Sequence, residues 1–72
     1  MITPENVREG LKVFDKELKT IGYISECNDI FNVFVIFIDE NSKMLGSGFY
    51  CVDNNSKNYS KELILLQDIN KN

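Results

Sequence analysis

Six consecutive apolar residues at positions 33–38, Val-Phe-Val-Ile-Phe-Ile, constrain the fold of this chain more than any other stretch. All six are β-branched or aromatic, and polar turn-forming residues stand on both sides, Asn32 before the run and Asp39 after it. Short apolar runs of this composition, closed by turn formers, are typical of a β-strand that is buried on both faces. The sequence therefore predicts a central strand over residues 33–38.

The side chains of that central strand must alternate between the two faces of a sheet. If the odd-numbered residues point into the core, then Phe34, Ile36 and Ile38 point away from it. Three large apolar side chains in an outward row make a patch that soluble monomers generally avoid. Either the N-terminal turn and the C-terminal strand cover this row, or another protein chain does. In the second case the three residues form a protein interface.

Four other segments have the composition of shorter strands. A period of two begins at Leu11, and residues 20–27, 46–52 and 63–67 are rich in β-branched, aromatic and other apolar side chains. At the start of the chain, residues 3–10 predict a short helical turn, with Thr3 as the N-cap, Pro4 in the first turn and Gly10 at the exit. The tail, residues 68–72, is expected to fray.

Five short strands joined by polar connections predict a single, mainly β domain over residues 1–72. The predicted architecture is a small five-stranded antiparallel barrel with a short N-terminal helical turn. The alternative is an open antiparallel sheet with that helix lying across one face. Gly22 lies inside the second strand, where a glycine indicates sharp curvature or the close passage of another backbone. We predict that the sheet bends at Gly22.

The chain has 72 residues, two cysteines and no histidine. A domain of this size buries roughly 60% of the surface of its unfolded chain, so we expect modest stability that a partner subunit would increase. Two thiols without an imidazole are too few ligands for a zinc site, and we expect neither a metal nor a cofactor. No secretory leader precedes the chain, so we expect Cys27 and Cys51 to stay reduced in the cytoplasm.

The net charge is −3, and the acidic excess is concentrated between residues 24 and 56. Lys43 is the only base of that segment. Its five acidic residues are Glu26, Asp29, Asp39, Glu40 and Asp53. Proteins that bind phosphates usually have a clustered basic face, so this balance disfavours nucleic acid as a partner without excluding it. No run of 18 apolar residues is present, so we expect no membrane span.

Groups suited to catalysis are scarce. General acid and base catalysis most often uses histidine, which the chain lacks. Cys27 is close in sequence to Glu26 and Asp29, and Cys51 is close to Asp53. Negative charge opposes the formation of a nucleophilic thiolate. We therefore expect no enzymatic activity, and we predict no catalytic, cofactor-binding or metal-binding residue.

Four aromatic residues lie in or beside predicted loops, namely Tyr23, Phe31, Tyr50 and Tyr59. Aromatic loops on small barrels bind peptides or stacked bases, so these four residues are candidates for lining a shallow groove. The alternative is that most of them complete a small core.

Glycine and apolar positions recur in an order that suggests a family. They are Val-x-x-Gly-x-x-Val at 7–13, Gly-Tyr-Ile at 22–24, Val-x-Val-x-Phe at 33–37, Gly-x-Gly-x-Tyr at 46–50 and Leu-Ile-Leu at 63–65. This order resembles the small SH3-like barrels of the KOW, Tudor and related kinds, and the chain looks like the short proteins of that architecture carried by bacterial mobile elements and phages. The resemblance implies a non-enzymatic binding or adaptor module. It carries over no ligand and no site residue.

Three hypotheses for the function follow. The first is a cytoplasmic module that binds another protein, or a second copy of itself, through the outward face of the central strand or through an acidic, aromatic-flanked loop surface. The second is a nucleic-acid-associated barrel of the KOW type, in which local lysines offset the overall acidity; these are Lys12, Lys16, Lys19 and Lys57. The third is an acidic inhibitor from a mobile element that occupies the basic site of a host nucleic-acid-binding enzyme.

Overall fold

The computed structural model describes residues 2–29 and 31–69. It contains five strands and one short helix, and the predicted central strand is confirmed as the third strand. In chain order the elements are β1 (Lys12–Asp15), β2 (Thr20–Cys27), β3 (Asn32–Ile38), β4 (Met44–Cys51), β5 (Leu63–Leu65) and α1 (Leu66–Ile69).

All five strands belong to one antiparallel sheet with the order β4-β3-β2-β1-β5. The five-stranded antiparallel sheet was predicted correctly, but the closed barrel is not confirmed, because β4 and β5 are the unpaired edges of the sheet in the described part of the chain. Ser60, just before β5, joins this edge strand to the end of β4. Its N–H donates to the Cys51 carbonyl over 3.0 Å, and the Cys51 N–H donates to Ser60 Oγ over 3.0 Å.

One face of the sheet forms the core, and strand alternation selects its residues. On β3 the odd-numbered residues Val33, Val35 and Phe37 are buried, as the sequence predicts. The other buried apolar side chains are Ile2, Val13, Ile24, Tyr50, Val52, Leu63 and Leu65. Burying this inner face in one cluster is the main source of stability for so small a chain.

The N-terminal segment does not form the predicted helical turn. Residues 4–6 make a reverse turn instead, in which the Asn6 N–H donates to the Thr3 carbonyl and the Thr3 N–H donates to Asn6 Oδ1. The prediction failed because a helix this short is marginal, and the chain gains more by continuing the sheet: the Gly10 N–H donates to the Ile24 carbonyl over 2.8 Å. Gly10 takes the predicted left-handed conformation, with φ of 87°.

The helical turn lies near the other terminus. The predicted strand over residues 63–67 ends at Leu65, and α1 begins at Leu66. Leu65 pairs with Val13, close to the start of β1 at Lys12, so a longer β5 would soon have no ladder partner. Asp68 and Ile69, predicted to fray, lie in α1, and residues 70–72 of that predicted tail are outside the described residues.

Gly22 was predicted as the point where the sheet bends, and the structure shows it where another backbone passes closely, the other use of a glycine inside a strand. A Cβ atom at this position would lie 2.6 Å from the Ile36 carbonyl oxygen and 2.9 Å from Cδ1 of Phe37. The irregularity in the β2–β3 pairing occurs further along the strand, as a register shift between Ile24 and Glu26. Gly22 therefore allows β2 and β3 to approach each other. Within residues 2–29 and 31–69, no helix has the length and apolar character needed to cross a bilayer.

Candidate functional site

The sheet face opposite the core is apolar along β3. Phe34, Ile36 and Ile38 alternate with the buried residues of the strand and are half-buried. The Phe34 ring contacts the Phe49 ring of β4, with 4.9 Å between the ring centroids and a tilt of 52°. The structure therefore brings the predicted interface residues into one row and adds an aromatic side chain from the neighbouring strand.

The apolar row widens onto β4 because of the pairing register. Phe34 lies opposite Phe49, and Ile38 lies opposite Met44. Phe49 is 68% exposed and Met44 is 59% exposed, which makes them two of the most exposed large apolar side chains of the described chain. We call the set Phe34, Ile36, Ile38, Met44 and Phe49 the outer patch.

Sequence reasoning missed the two β4 members of the outer patch. The available signal was the phase of the two glycines in β4. Gly46 and Gly48 lie opposite the inward residues Phe37 and Val35, so Phe49 must face outward and Tyr50 inward. Which of two adjacent aromatic residues is buried could be decided only after the register with β3 was known.

The two segments proposed as an internal cover pack elsewhere, apart from Leu66, which lines a groove together with Ile38. Ile2 belongs to the buried core, and Val7 and Leu11 pack against the same cluster, so the N-terminal segment closes the inner side. β5 pairs with β1, two strands away from β3. Within the described part of the chain, the Phe34 ring contacts Phe49, and Tyr23 of β2 lies opposite Ile36.

A groove continues from one end of the outer patch. Its volume is about 530 Å³. Its apolar lining comes from Phe14, Ile21, Ile38, Leu45 and Leu66. Lys12 and Lys19 also line it, together with Asp39 and Glu40, so the charges around the groove balance. An apolar floor with charges of both signs suits a peptide better than a polyanion.

The four predicted groove aromatics are not brought together. Tyr23 lies on the outer face opposite Ile36, whereas Tyr50 belongs to the buried core. Phe31 is 41% exposed in the β2–β3 connection. Tyr59 is half-buried, and its hydroxyl donates to the Ile2 carbonyl over 2.6 Å. Tyr50 therefore completes the core, which was the alternative to lining a groove.

A buried carboxylate joins two parts of the sheet. Asp15 is 2% exposed, and its Oδ2 accepts a 2.6 Å hydrogen bond from the Tyr50 hydroxyl. Its Oδ1 accepts from the backbone N–H groups of Glu17 and Leu18, at 2.8 Å each. Burial, and then the hydrogen bond and charge of Asp15, raise the pKa of Tyr50. Both carboxylate oxygens thus have partners within the fold, so Asp15 has a structural role.

Three other aspartates use their carboxylates to shape turns. Oδ1 of Asp29 accepts the N–H of Phe31, and Asp39 and Asp53 accept the N–H two residues further on in the same way, at 2.7 to 3.0 Å. This is the usual chemistry of Asx turns. The backbone N–H of Phe31 is the main reason why the pKa of Asp29 is lowered. The acidic excess of residues 24–56 therefore arises largely from turn formation.

The four lysines of the nucleic-acid hypothesis do not share one surface. Lys16 and Lys57 line a groove of about 460 Å³ beside Tyr59, together with Lys61 and the two acids Glu17 and Glu62. Lys12 and Lys19 line the other groove, with Asp39 and Glu40. Each lysine group is thus accompanied by two carboxylates. The arrangement does not make the continuous basic stripe that a phosphate backbone requires.

The thiols and carboxylates do not converge on a reactive centre. Cys27 and Cys51 are both free. Burial, and then the charge of Glu9, raise the pKa of the Cys27 thiol, which disfavours the nucleophilic thiolate. Among residues 2–29 and 31–69, no group of three His, Cys, Asp or Glu side chains could hold a metal ion.

Comparison of the chain with protein-family models, with curated proteins and with solved structures gives no match.

Proposed function

We propose that this chain is a non-enzymatic protein-binding module and that its interface is the outer patch on β3 and β4. The observation that carries the proposal is the Phe34–Phe49 pair. Two aromatic rings contact each other on the solvent side of a paired strand, and one of them is 68% exposed. Large apolar side chains grouped in this way usually mark an interaction site.

Physical magnitudes support this use of the outer patch. Removing apolar surface from water contributes roughly 25 cal/mol per Å², and a few aromatic anchors commonly supply most of the energy of an interface. Phe34 and Ile36 have strand partners on both sides, so their backbone is held by the sheet before any partner arrives. A preformed surface loses little conformational entropy on binding.

The resemblance to SH3-like barrels belongs to this proposal. Five antiparallel strands, four of them consecutive neighbours, support such an architecture, with a seam left open between β4 and β5. We infer an adaptor role without catalysis, in the cytoplasm, where Cys27 and Cys51 would stay reduced. An origin in a bacterial mobile element is part of the same inference.

The nucleic-acid and inhibitor alternatives have weaker support. Nucleic-acid binding requires a surface of one charge, whereas the lysines stand in two groups that are each accompanied by acids. An inhibitor of a basic site would need an acidic surface, but Asp39 and Glu40 share a groove with Lys12 and Lys19. Heparin or DNA that retained the protein at physiological salt would favour the nucleic-acid alternative over protein binding.

The proposal can be tested by selecting binders from a displayed library of random peptides. Peptides selected on the wild-type protein should lose at least about tenfold in affinity for the Phe49→Ser variant, because an aromatic anchor is removed. They should keep their affinity for Leu18→Ser, a matched control that removes a similarly exposed apolar side chain from the β1–β2 turn. Selected peptides that depend on Leu18 and tolerate Phe49→Ser would contradict the proposal.

A further inference from the structure

We infer that one occupant of this surface is a second copy of the chain, joined through antiparallel pairing of β4 with β4 about a two-fold axis at Gly48. The inference rests on the proposed function and names its partner. It extends the interface from the outer patch to the backbone edge beside it.

The first observation is that the far edge of β4 is free. Among residues 2–29 and 31–69, β4 has β3 as its one strand partner. Cys51 exchanges two hydrogen bonds with Ser60 on the side away from β3, and the Val52 N–H donates to the Phe31 carbonyl on the other side. Backbone groups alternate in direction along a strand, so the N–H and C=O groups of Ser47 and Phe49 also point away from β3. The described residues supply no backbone partner to either residue.

The second observation is that the middle of this edge, between Leu45 and Cys51, carries no device against strand addition. The eight residues of β4, Met-Leu-Gly-Ser-Gly-Phe-Tyr-Cys, include no charge and no proline. Natural proteins generally protect exposed edge strands with lysine, proline, a bulge or a covering segment. Here a register shift near Leu45 and the Ser60 contact at Cys51 limit the free edge at its two ends. Between those limits the edge is open to another strand.

The limits determine the register of pairing. Between the register shift and the Ser60 contact, Ser47 and Phe49 are the two residues whose backbone N–H and C=O groups point away from β3. If Ser47 pairs antiparallel with Phe49 of the second copy, the two residues exchange two backbone hydrogen bonds. The two-fold axis repeats this pair, so the interface has four backbone hydrogen bonds. Gly48 then faces Gly48 of the other copy, where the absence of a side chain permits the approach of about 4.5 Å typical of a non-hydrogen-bonded pair.

Side chains favour the same register. The two Phe49 rings become diagonal neighbours on the outer face, within reach of each other. Together with the two Phe34 rings they form a four-ring cluster that buries the most exposed side chain of the outer patch. Four backbone hydrogen bonds and one cluster of aromatic rings make a small interface, which predicts a weak, reversible dimer.

The test uses the full chain and compares wild type, Ser47→Ala and Ser47→Pro by sedimentation from micromolar to millimolar concentration. Proline removes the N–H on the free edge, without costing a bond to β3, whereas alanine keeps it. Wild type and Ser47→Ala should dimerise alike, and Ser47→Pro should associate at least about tenfold more weakly, since two interfacial hydrogen bonds are lost. If Ser47→Pro does not fold, Ser47→Lys replaces it, because an edge lysine blocks strand addition.

Register is tested on a sample in which half of the molecules carry ¹³C. A filtered nuclear Overhauser experiment should show a contact between the Hα protons of Gly48 in the two copies. A wild-type protein that stays monomeric at millimolar concentration would overturn the inference. So would a dimer that loses affinity with Phe49→Ser but not with Ser47→Pro, since that dimer would join through its faces.

These outcomes are separable from the fate of the proposed function. A monomeric protein whose selected peptides still require Phe49 would refute the second copy as partner and leave protein binding in place. A monomeric protein with no Phe49-dependent peptide would refute both proposals.

Discussion

The Tyr50 hydroxyl reaches across the core from β4 and donates a 2.6 Å hydrogen bond to Oδ2 of Asp15 at the end of β1. These two strands are not neighbours in the sheet, so the bond ties together parts of the fold that no ladder connects. The same carboxylate accepts two N–H groups of the β1–β2 turn through its other oxygen. One buried side chain thus couples the turn, β1 and the open side of the sheet.

We expect Tyr50→Phe to lower the free energy of unfolding by about 1–3 kcal/mol, because it leaves a buried carboxylate oxygen without its donor. Tyr59→Phe is the matched control. It removes a hydroxyl that donates to the Ile2 carbonyl at a half-buried site, and should cost about 0.5–1.5 kcal/mol. Urea unfolding of the three proteins measures both effects. Equal costs would show that burying Asp15 does not make the loss of its hydrogen bond more destabilising.

The same pair predicts a loss of stability at alkaline pH. The pKa of Tyr50 is raised in the folded state, above its ordinary value of about 10. The stabilisation from the protonated hydroxyl is therefore fully present below about pH 10 and is lost as the pH rises beyond it. Wild type should lose more of its urea midpoint between about pH 9 and 11.5 than Tyr50→Phe does. Parallel pH profiles for the two proteins would contradict the assignment.

Replacing glycine by alanine should affect stability strongly at one position of the sheet and weakly at another. In Gly22→Ala the new methyl group would lie 2.6 Å from the Ile36 carbonyl oxygen, so β2 and β3 must separate, at a cost of about 1–3 kcal/mol. In Gly46→Ala nothing lies within 4 Å of the new Cβ, and the change should stay within about 0.5 kcal/mol. Thermal unfolding distinguishes the two. A tolerated Gly22→Ala would mean that the strands approach less closely than the structure describes.

Replacing phenylalanine by alanine should destabilise the protein far more on the core face of the sheet than on the outer face. Phe37 is buried in the core, and Phe37→Ala should cost about 3–5 kcal/mol, which would unfold much of so small a domain. Phe49 is 68% exposed, and Phe49→Ala should change stability by about 0.5 kcal/mol or less when measured on monomer at low concentration. A large loss for Phe49→Ala would show that Phe49 supports the fold itself.

Reduction should leave the melting temperature unchanged. Cys27 and Cys51 are both free and half-buried, so no covalent link is available to break. Calorimetry with and without a reductant tests this expectation. A drop in the melting temperature on reduction would show that the two thiols do form a bridge in solution.

The local sequence pattern was sufficient to predict the strands and to predict which face of the central strand is buried. The run at 33–38 predicts a strand whose odd-numbered residues are buried, and β3 matches it because a period of two is a property of the backbone. Gly10 was assigned its left-handed conformation, and Gly22 its place inside a strand, for a similar reason. A glycine inside a strand, or at the exit of a turn, has few other uses.

Assignments at the two termini failed because they depended on partners distant in sequence. Residues 3–10 have the capping pattern of a helix, but Gly10 bonds to Ile24 and the chain enters the sheet. Residues 63–67 have the composition of a strand, but β1 begins at Lys12 and β5 stops at Leu65. In both cases a tertiary contact outweighed a weak local preference.

The sequence by itself determined that this chain forms a small β-sheet with Phe34, Ile36 and Ile38 on the side opposite the core, because alternation follows from strand geometry alone. Tertiary structure decided that Phe49 joins them and Tyr50 does not, that the sheet stays open at β4, and that Asp15 is buried. Those outcomes depend on register and on which strands become neighbours. Register is fixed by the combined packing of all five strands, and no single segment of the sequence specifies it.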